Sequence, residues 1–178
     1  MPAEIISREF TGDEGELRAA SERIVCGILE LSVTHVVGVP DNATRIIYEL
    51  LESDPSVQVV PVCREGEAWA VASGLWVGGK VPFVIIQNTG FLESGDALRG
   101  TALGMAVPLV ALIDYRGFHT LSLPEVDAVD SVASFFEPTL RAWQLPYRFL
   151  EQGREAEALH AAARQAREIE QPVVVLMT

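Results

Sequence analysis

The residues able to do chemistry gather in short polar stretches at the ends of apolar runs: Gly38-Val39-Pro40-Asp41, Cys63-Arg64-Glu65-Gly66-Glu67 and Gln87-Asn88-Thr89-Gly90. The middle stretch supplies carboxylates. A carboxyl group held at a strand end and shielded from water can take up a proton or pass one on. The flanking stretches supply amide, hydroxyl and backbone groups that could line a pocket, although turn chemistry alone also accounts for Pro-Asp-Asn and Asn-Thr-Gly. Glu65 has a plainer reading as well, as a carboxylate stabilised by a helix N-terminus, and Glu67 competes with it. Arg99, Arg116 and His119 are the candidates for holding an acidic substrate, since an anion entering so acidic a protein needs a local cation, although a surface or structural role accounts for each of them equally well.

Other constellations are missing. The chain has no G-x-x-x-x-G-K-[ST], no G-x-G-x-x-G after a strand, no G-x-S-x-G and no H-E-x-x-H, so nucleotide, dinucleotide, serine-hydrolase and zincin chemistries lack their mechanical core. Cys26 and Cys63 stand far apart without C-x-x-C spacing, which suggests neither a disulfide framework nor a metal site. His35 opens an apolar run and His160 falls on a solvated helix face; His119 lies in a loop.

The elements that must position these residues follow from periodicity. Apolar positions at helical spacing predict a helix from about Glu16 to Ser32. His35–Val39 reads as a buried strand, and Asp41 or Asn42 then caps a helix through about Leu51. A second strand over 57–62, an Ala-rich helix over 67–77 and a third strand over 82–87 follow. A helix from Ser94 or Asp96 to about Met105, a strand over 107–114 and an irregular stretch over 115–125 come next. The remainder reads as a helix over 126–143, a strand over 147–150, a helix over 155–168 and a last strand over 172–177. This alternation predicts an α/β fold, three-layer α/β/α with a six-stranded, mainly parallel sheet. In such sheets ligands bind at the carboxyl ends of the strands, where the polar stretches fall. Residues 1–14 are expected to form an N-terminal arm and 15–178 one domain.

Bulk properties bound the partners. With 178 residues the chain suits a single core, and 49% hydrophobic and 21% charged residues suit a globular protein. A net charge of -12 with only 13 basic residues argues against nucleic acid and anionic membranes. The acidic start, MPAEIISREFTGDEGE, and the lack of a long apolar run suggest a cytoplasmic protein.

Taken together and in order, several pieces resemble a known family: GVPD at 38–41, E-G-x-A at 65–68, GKVP at 79–82, QNTG at 87–90, R-G at 116–117 and L-P-Y-R at 145–148. They resemble the pyrimidine-binding domain of thiamine-diphosphate enzymes, and more closely the α subunits of sulfopyruvate and phosphonopyruvate decarboxylases. The resemblance implies that Glu65 is the catalytic glutamate that hydrogen-bonds the cofactor's aminopyrimidine. It implies that Gly38, Val39, Pro40, Asp41, Gln87, Asn88, Thr89 and Gly90 line the cofactor, and that the substrate is a small 2-oxo acid. The chain departs from the pattern at Arg64 and Glu67, where asparagines are usual, and at Phe91-Leu92-Glu93.

The G-D-G motif with which such enzymes anchor the diphosphate through Mg2+ is absent. The resemblance therefore implies half of an active site, completed by a β subunit that carries G-D-G and the Mg2+, in a hetero-oligomer. The Ala-rich helix is the candidate interface. Two other readings remain at this point: a carboligase or lyase subunit on the same cofactor, and a non-catalytic α/β module that binds a partner.

Overall fold

The computed structural model describes residues 14–123 and 130–178. Six strands, β1 (His35–Gly38), β2 (Gln58–Pro61), β3 (Pro82–Gln87), β4 (Val110–Asp114), β5 (Tyr147–Phe149) and β6 (Val173–Met177), form one sheet in the order β2-β1-β3-β4-β6-β5. Every pairing is parallel, where a mainly parallel sheet was expected. All carboxyl ends therefore lie on one edge.

Among the described residues seven α-helices cover the faces: α1 (Glu14–Glu30), α2 (Arg45–Glu52), α3 (Glu65–Val77), α4 (Asn88–Glu93), α5 (Gly95–Leu98), α6 (Ser131–Ala142) and α7 (Glu155–Ile169). Alternate strand residues feed two cores, because successive side chains on a strand point to opposite faces. Val36, Phe83, Ile85, Leu112 and Val175 meet α1, α2 and α7 on one side. Val37, Val84, Ile86, Ile113 and Leu176 meet α3, α4, α5 and α6 on the other. The central strands β3, β4 and β6 are almost wholly buried, which explains their unbroken apolar sequence. The result is the three-layer α/β/α fold that the alternation predicts.

The chain reverses direction beside β1. After β1 it passes through α2 to β2 on one flank, then crosses back through α3 on the opposite face to β3 on the other flank. That reversal opens a crevice between the carboxyl ends of β1 and β3.

Element boundaries differ in ways that matter to the crevice. α2 begins at Arg45, so neither Asp41 nor Asn42 caps it; Asp41 instead closes the preceding turn, its Oδ1 accepting from the Thr44 amide at 2.8 Å and the Thr44 hydroxyl at 2.7 Å. α3 begins at Glu65, two residues earlier than expected. The helix expected from Ser94 or Asp96 begins at Asn88, straight off β3, and runs through α4 and α5 into a π-helical turn at Arg99–Leu103. A 3-10 turn, Phe118–Ser122, occupies part of the stretch read as irregular. The arm over 1–14 lies outside the described residues except for Glu14, which belongs to α1, and so do 126–129 of the helix expected over 126–143.

Candidate active site at the carboxyl edge of the sheet

β2 delivers the chain to the edge, and the extended backbone of Arg64 turns it into α3 with Glu65 as the first helical residue. Two carboxylates of the first turn, Glu65 and Glu67, are placed differently here. Oε2 of Glu67 accepts from the backbone amides of Cys63 at 3.0 Å and Arg64 at 3.3 Å, so Glu67 reaches back to satisfy amides at the helix start. Glu65 is half-buried, and no described residue hydrogen-bonds or ion-pairs with its carboxylate.

The Glu65 side chain rests on Gly90 of α4. A β-carbon at Gly90 would fall 1.8 Å from Cδ, 2.0 Å from Oε1 and 2.2 Å from Cγ of Glu65. Only glycine leaves room for the carboxylate at this place. α4 is short but well anchored: Phe91 is fully buried, packing edge-on to Phe136 at a centroid distance of 5.2 Å and to Trp69 at 6.4 Å. Burying a side chain of that size contributes about 1.5–3 kcal/mol. The Trp69 indole N–H donates to the Ser94 hydroxyl at 3.0 Å, which ties α3 to the end of α4 in the interior. Further out, Arg64 forms an ion pair with Glu93. These are two of the positions at which the chain departs from the pattern it resembles, and the fold brings them together.

The crevice between β1 and β3 carries a second polar network. The Gln87 side-chain amide points between two carboxylates, at 3.3 Å from Asp41 Oδ2 and 3.5 Å from Asp114 Oδ2, while its carbonyl accepts from the Thr89 hydroxyl at 3.1 Å. Asn88 is buried; its amide donates to the Arg116 carbonyl at 3.0 Å, and its Oδ1 has no donor among the described residues. Gly38 is needed for packing, because a β-carbon there would lie 1.8 Å from the Ile85 carbonyl and 2.4 Å from the Tyr48 hydroxyl. That hydroxyl donates to the Ile85 carbonyl at 3.0 Å, and burial, assisted by Asp41, pushes its pKa far above the ordinary phenol value. Val39 and Pro40 follow on the rim, half-buried and exposed.

Glu65, Gly90, Gln87, Asn88, Thr89, Gly38 and Asp41 therefore gather on one edge, as their spacing suggests. Arg116 lies beside Asn88, with its guanidinium 3.9 Å from Asp130. His119 is exposed in the 3-10 turn after β4, next along the edge. Arg99 is not brought to this group: it sits in the π-helical turn beyond α5, exposed and paired with Asp96 at 2.7 Å. Asp114 is a member that sequence reading missed. It is the lone charge of β4 and almost wholly buried at the strand's carboxyl end, which is the signal that could have found it.

No family model matches the chain. Individual proteins do. It is 27% identical over 133 residues to a sulfopyruvate decarboxylase subunit alpha from Methanothermobacter thermautotrophicus, covering 72% of this chain and 76% of that protein. It is 27% identical over 160 residues to the subunit of the same name from Methanococcus maripaludis, covering 89% and 93%. A phosphonopyruvate decarboxylase from Streptomyces viridochromogenes is 35% identical over 94 residues, which are 53% of this chain but 24% of that longer protein. The resemblance drawn from the short motifs thus holds over much of the chain.

Proposed function

We propose that this chain is the α subunit of a two-subunit decarboxylase that acts on a small 2-oxo acid with thiamine diphosphate. The observation that carries the reading is the Glu65 carboxylate, seated on Gly90 at the topological reversal of the sheet and left without a partner among the described residues. The names of the relatives support decarboxylation and a companion subunit.

The residues suit the group. A carboxyl group without an internal partner is what a protonated ring nitrogen needs opposite it, and the half-buried seat strengthens the bond. When bound, thiamine diphosphate supplies an electron sink for the carbon–carbon bond that breaks as carbon dioxide leaves. Glu65 holds the proton shared with the aminopyrimidine ring nitrogen. Gly90 sets where that carboxyl stands, and the Asp41–Gln87–Thr89 network with Val39 and Pro40 forms the neighbouring wall. Arg116 and His119 stand where an acidic substrate group would approach; Arg99 is too far along its helix and already paired. Mg2+ and the diphosphate fall to the β subunit.

The outward face of α3 is the proposed contact with that subunit. Beyond its acidic first turn α3 carries only small and apolar residues, yet Val71, Trp76 and Val77 are exposed and Gly74 has no neighbour within 4 Å of a β-carbon position. Helices of this kind belong in interiors. Among the described residues no helix is long and apolar enough to cross a membrane; a cytoplasmic setting suits two exposed free thiols, Cys26 and Cys63. The test is carbon dioxide release from sulfopyruvate or phosphonopyruvate by the chain combined with a G-D-G-bearing partner, thiamine diphosphate and Mg2+. Glu65→Gln lowers that rate by roughly 10² to 10⁴; turnover of aldehydes without carbon dioxide would instead point to carboligation.

A further inference from the structure

Arg64 immediately precedes Glu65, and its guanidinium rides on a long side chain. Three carboxylates cluster around the start of α3: Glu65, Glu67 and Glu93. Glu67 is committed to the Cys63 and Arg64 amides. Glu65 is the nearest in sequence and has no partner among the described residues, yet Arg64 does not bind it; the guanidinium goes to Glu93. Glu93 stands three residues after Gly90, and residues so spaced share a helix face. α4 thus presents to the start of α3 both the seat of Glu65 and a counter-ion for its neighbour. Oε2 of Glu93 also lies 3.9 Å from the β-carbon position of Gly66, so it is close to the first turn of α3.

We propose that Glu93 is the counter-ion that holds Arg64 away from Glu65, leaving the Glu65 carboxylate free for its ligand. The inference rests on the reading of Glu65 as the cofactor-facing glutamate. Its physical basis is competition. A guanidinium is permanently charged, tethered beside Glu65 and able to bind a carboxylate through two parallel N–H bonds, so an Arg64 released from Glu93 would compete with the ring nitrogen for Glu65. The ion pair is not there for stability, because its side chains are 68% and 45% exposed and such pairs contribute little. Glu93 acts through Arg64 and is a positioning residue.

The test compares Glu93→Gln, Arg64→Gln and the double variant with the wild-type chain in complex with its partner. Glu93→Gln lowers kcat roughly 10- to 100-fold and weakens thiamine diphosphate binding in parallel, the size of one charge-assisted bond. Arg64→Gln stays within about threefold of wild type, and the double variant recovers to the same level, since no guanidinium remains to block Glu65. Tm stays within about 4 °C throughout. In a crystal structure of the Glu93→Gln chain alone, the Arg64 guanidinium lies on the Glu65 carboxylate. The proposal is overturned if Glu93→Gln keeps full activity, if the double variant is as impaired as Glu93→Gln, or if Arg64 stays off Glu65 in that structure. Glu65→Gln in the same assay separates the two ideas: full activity there overturns the reading of Glu65. Loss there with an unimpaired Glu93→Gln overturns the counter-ion role alone, and the structure of the variant chain decides the contact without turnover.

Discussion

Replacing Gly90 with alanine puts a methyl group where Glu65 now rests its carboxylate. The new carbon would stand 1.8 Å from Cδ, against an ordinary carbon–carbon contact of about 3.5 Å, so the end of the side chain must retreat by about 2 Å. The atoms in conflict are the terminal half of a flexible side chain, so the displacement is cheap in stability: an off-rotamer arrangement costs about 0.5–1.5 kcal/mol. Alanine in place of a helical glycine offsets this by up to about 1 kcal/mol. The net change is within about 1 kcal/mol, or about 4 °C in Tm for a chain of this size. Catalysis is far less tolerant, since a misplacement of about 1 Å costs roughly 10² in rate. Gly90→Ala therefore loses at least about 10² in kcat for carbon dioxide release while melting within about 4 °C of wild type. The assay pairs coupled carbon dioxide detection on the complex with calorimetry on the chain. Unchanged kcat, or a collapse in Tm of more than about 10 °C, would refute the seat that Gly90 provides.

Other perturbations separate stability from chemistry. Glu67→Gln weakens the reach-back to the Cys63 and Arg64 amides; Tm falls by a few degrees, while kcat at 25 °C stays within about tenfold of wild type, far above Glu65→Gln. Val71→Glu on the outer face of α3 leaves the Tm of the isolated chain unchanged and abolishes assembly with the partner in sedimentation experiments; a complex of normal affinity would remove α3 from the interface. The Glu155 carboxyl contributes to the pH dependence of folding. Burial pushes its pKa up, but the hydrogen bond from Arg23 and bonds from backbone amides outweigh this and hold it below the ordinary glutamate value. Because the folded-state value is depressed, the stabilisation is present above about pH 4.5 and is lost as pH falls through the folded value. Thermal melts between about pH 6 and 3 will show a steeper loss in wild type than in Glu155→Gln.

The strands were legible because parallel sheets buried on both faces need continuous apolar runs, and VPFVIIQ and VALID supply them. The corner holding Glu65 was legible because charged residues follow the β-rich run over 57–62, although β2 is an edge strand and not buried on both faces. At the second corner the local structure was misread. Asn-Thr-Gly has the composition of a turn, but the chain enters α4 there without a loop, and Gly90 answers to a side chain from another helix. That requirement is a long-range contact with no local signature. The role of Glu67 was hidden because its N-cap partner is Arg64, and the usual Ser or Thr of a capping box is missing. Asp114 read only as a strand end and Tyr48 was not singled out; the packing of strands and helices brings them beside Gln87 and Gly38. Arg99 shows the converse, a cation chosen for its charge that the fold carries away from the edge.

The central claim is that Glu65 activates thiamine diphosphate in a complex with a G-D-G-bearing subunit. Its most direct test is the single-turnover rate of carbon dioxide release from a 2-oxo acid, measured for the wild-type and Glu65→Gln chains in otherwise identical complexes saturated with thiamine diphosphate and Mg2+. The account requires release by the wild-type complex, none by the chain alone, and a loss of roughly 10² to 10⁴ in Glu65→Gln. Equal rates for the two complexes would contradict it.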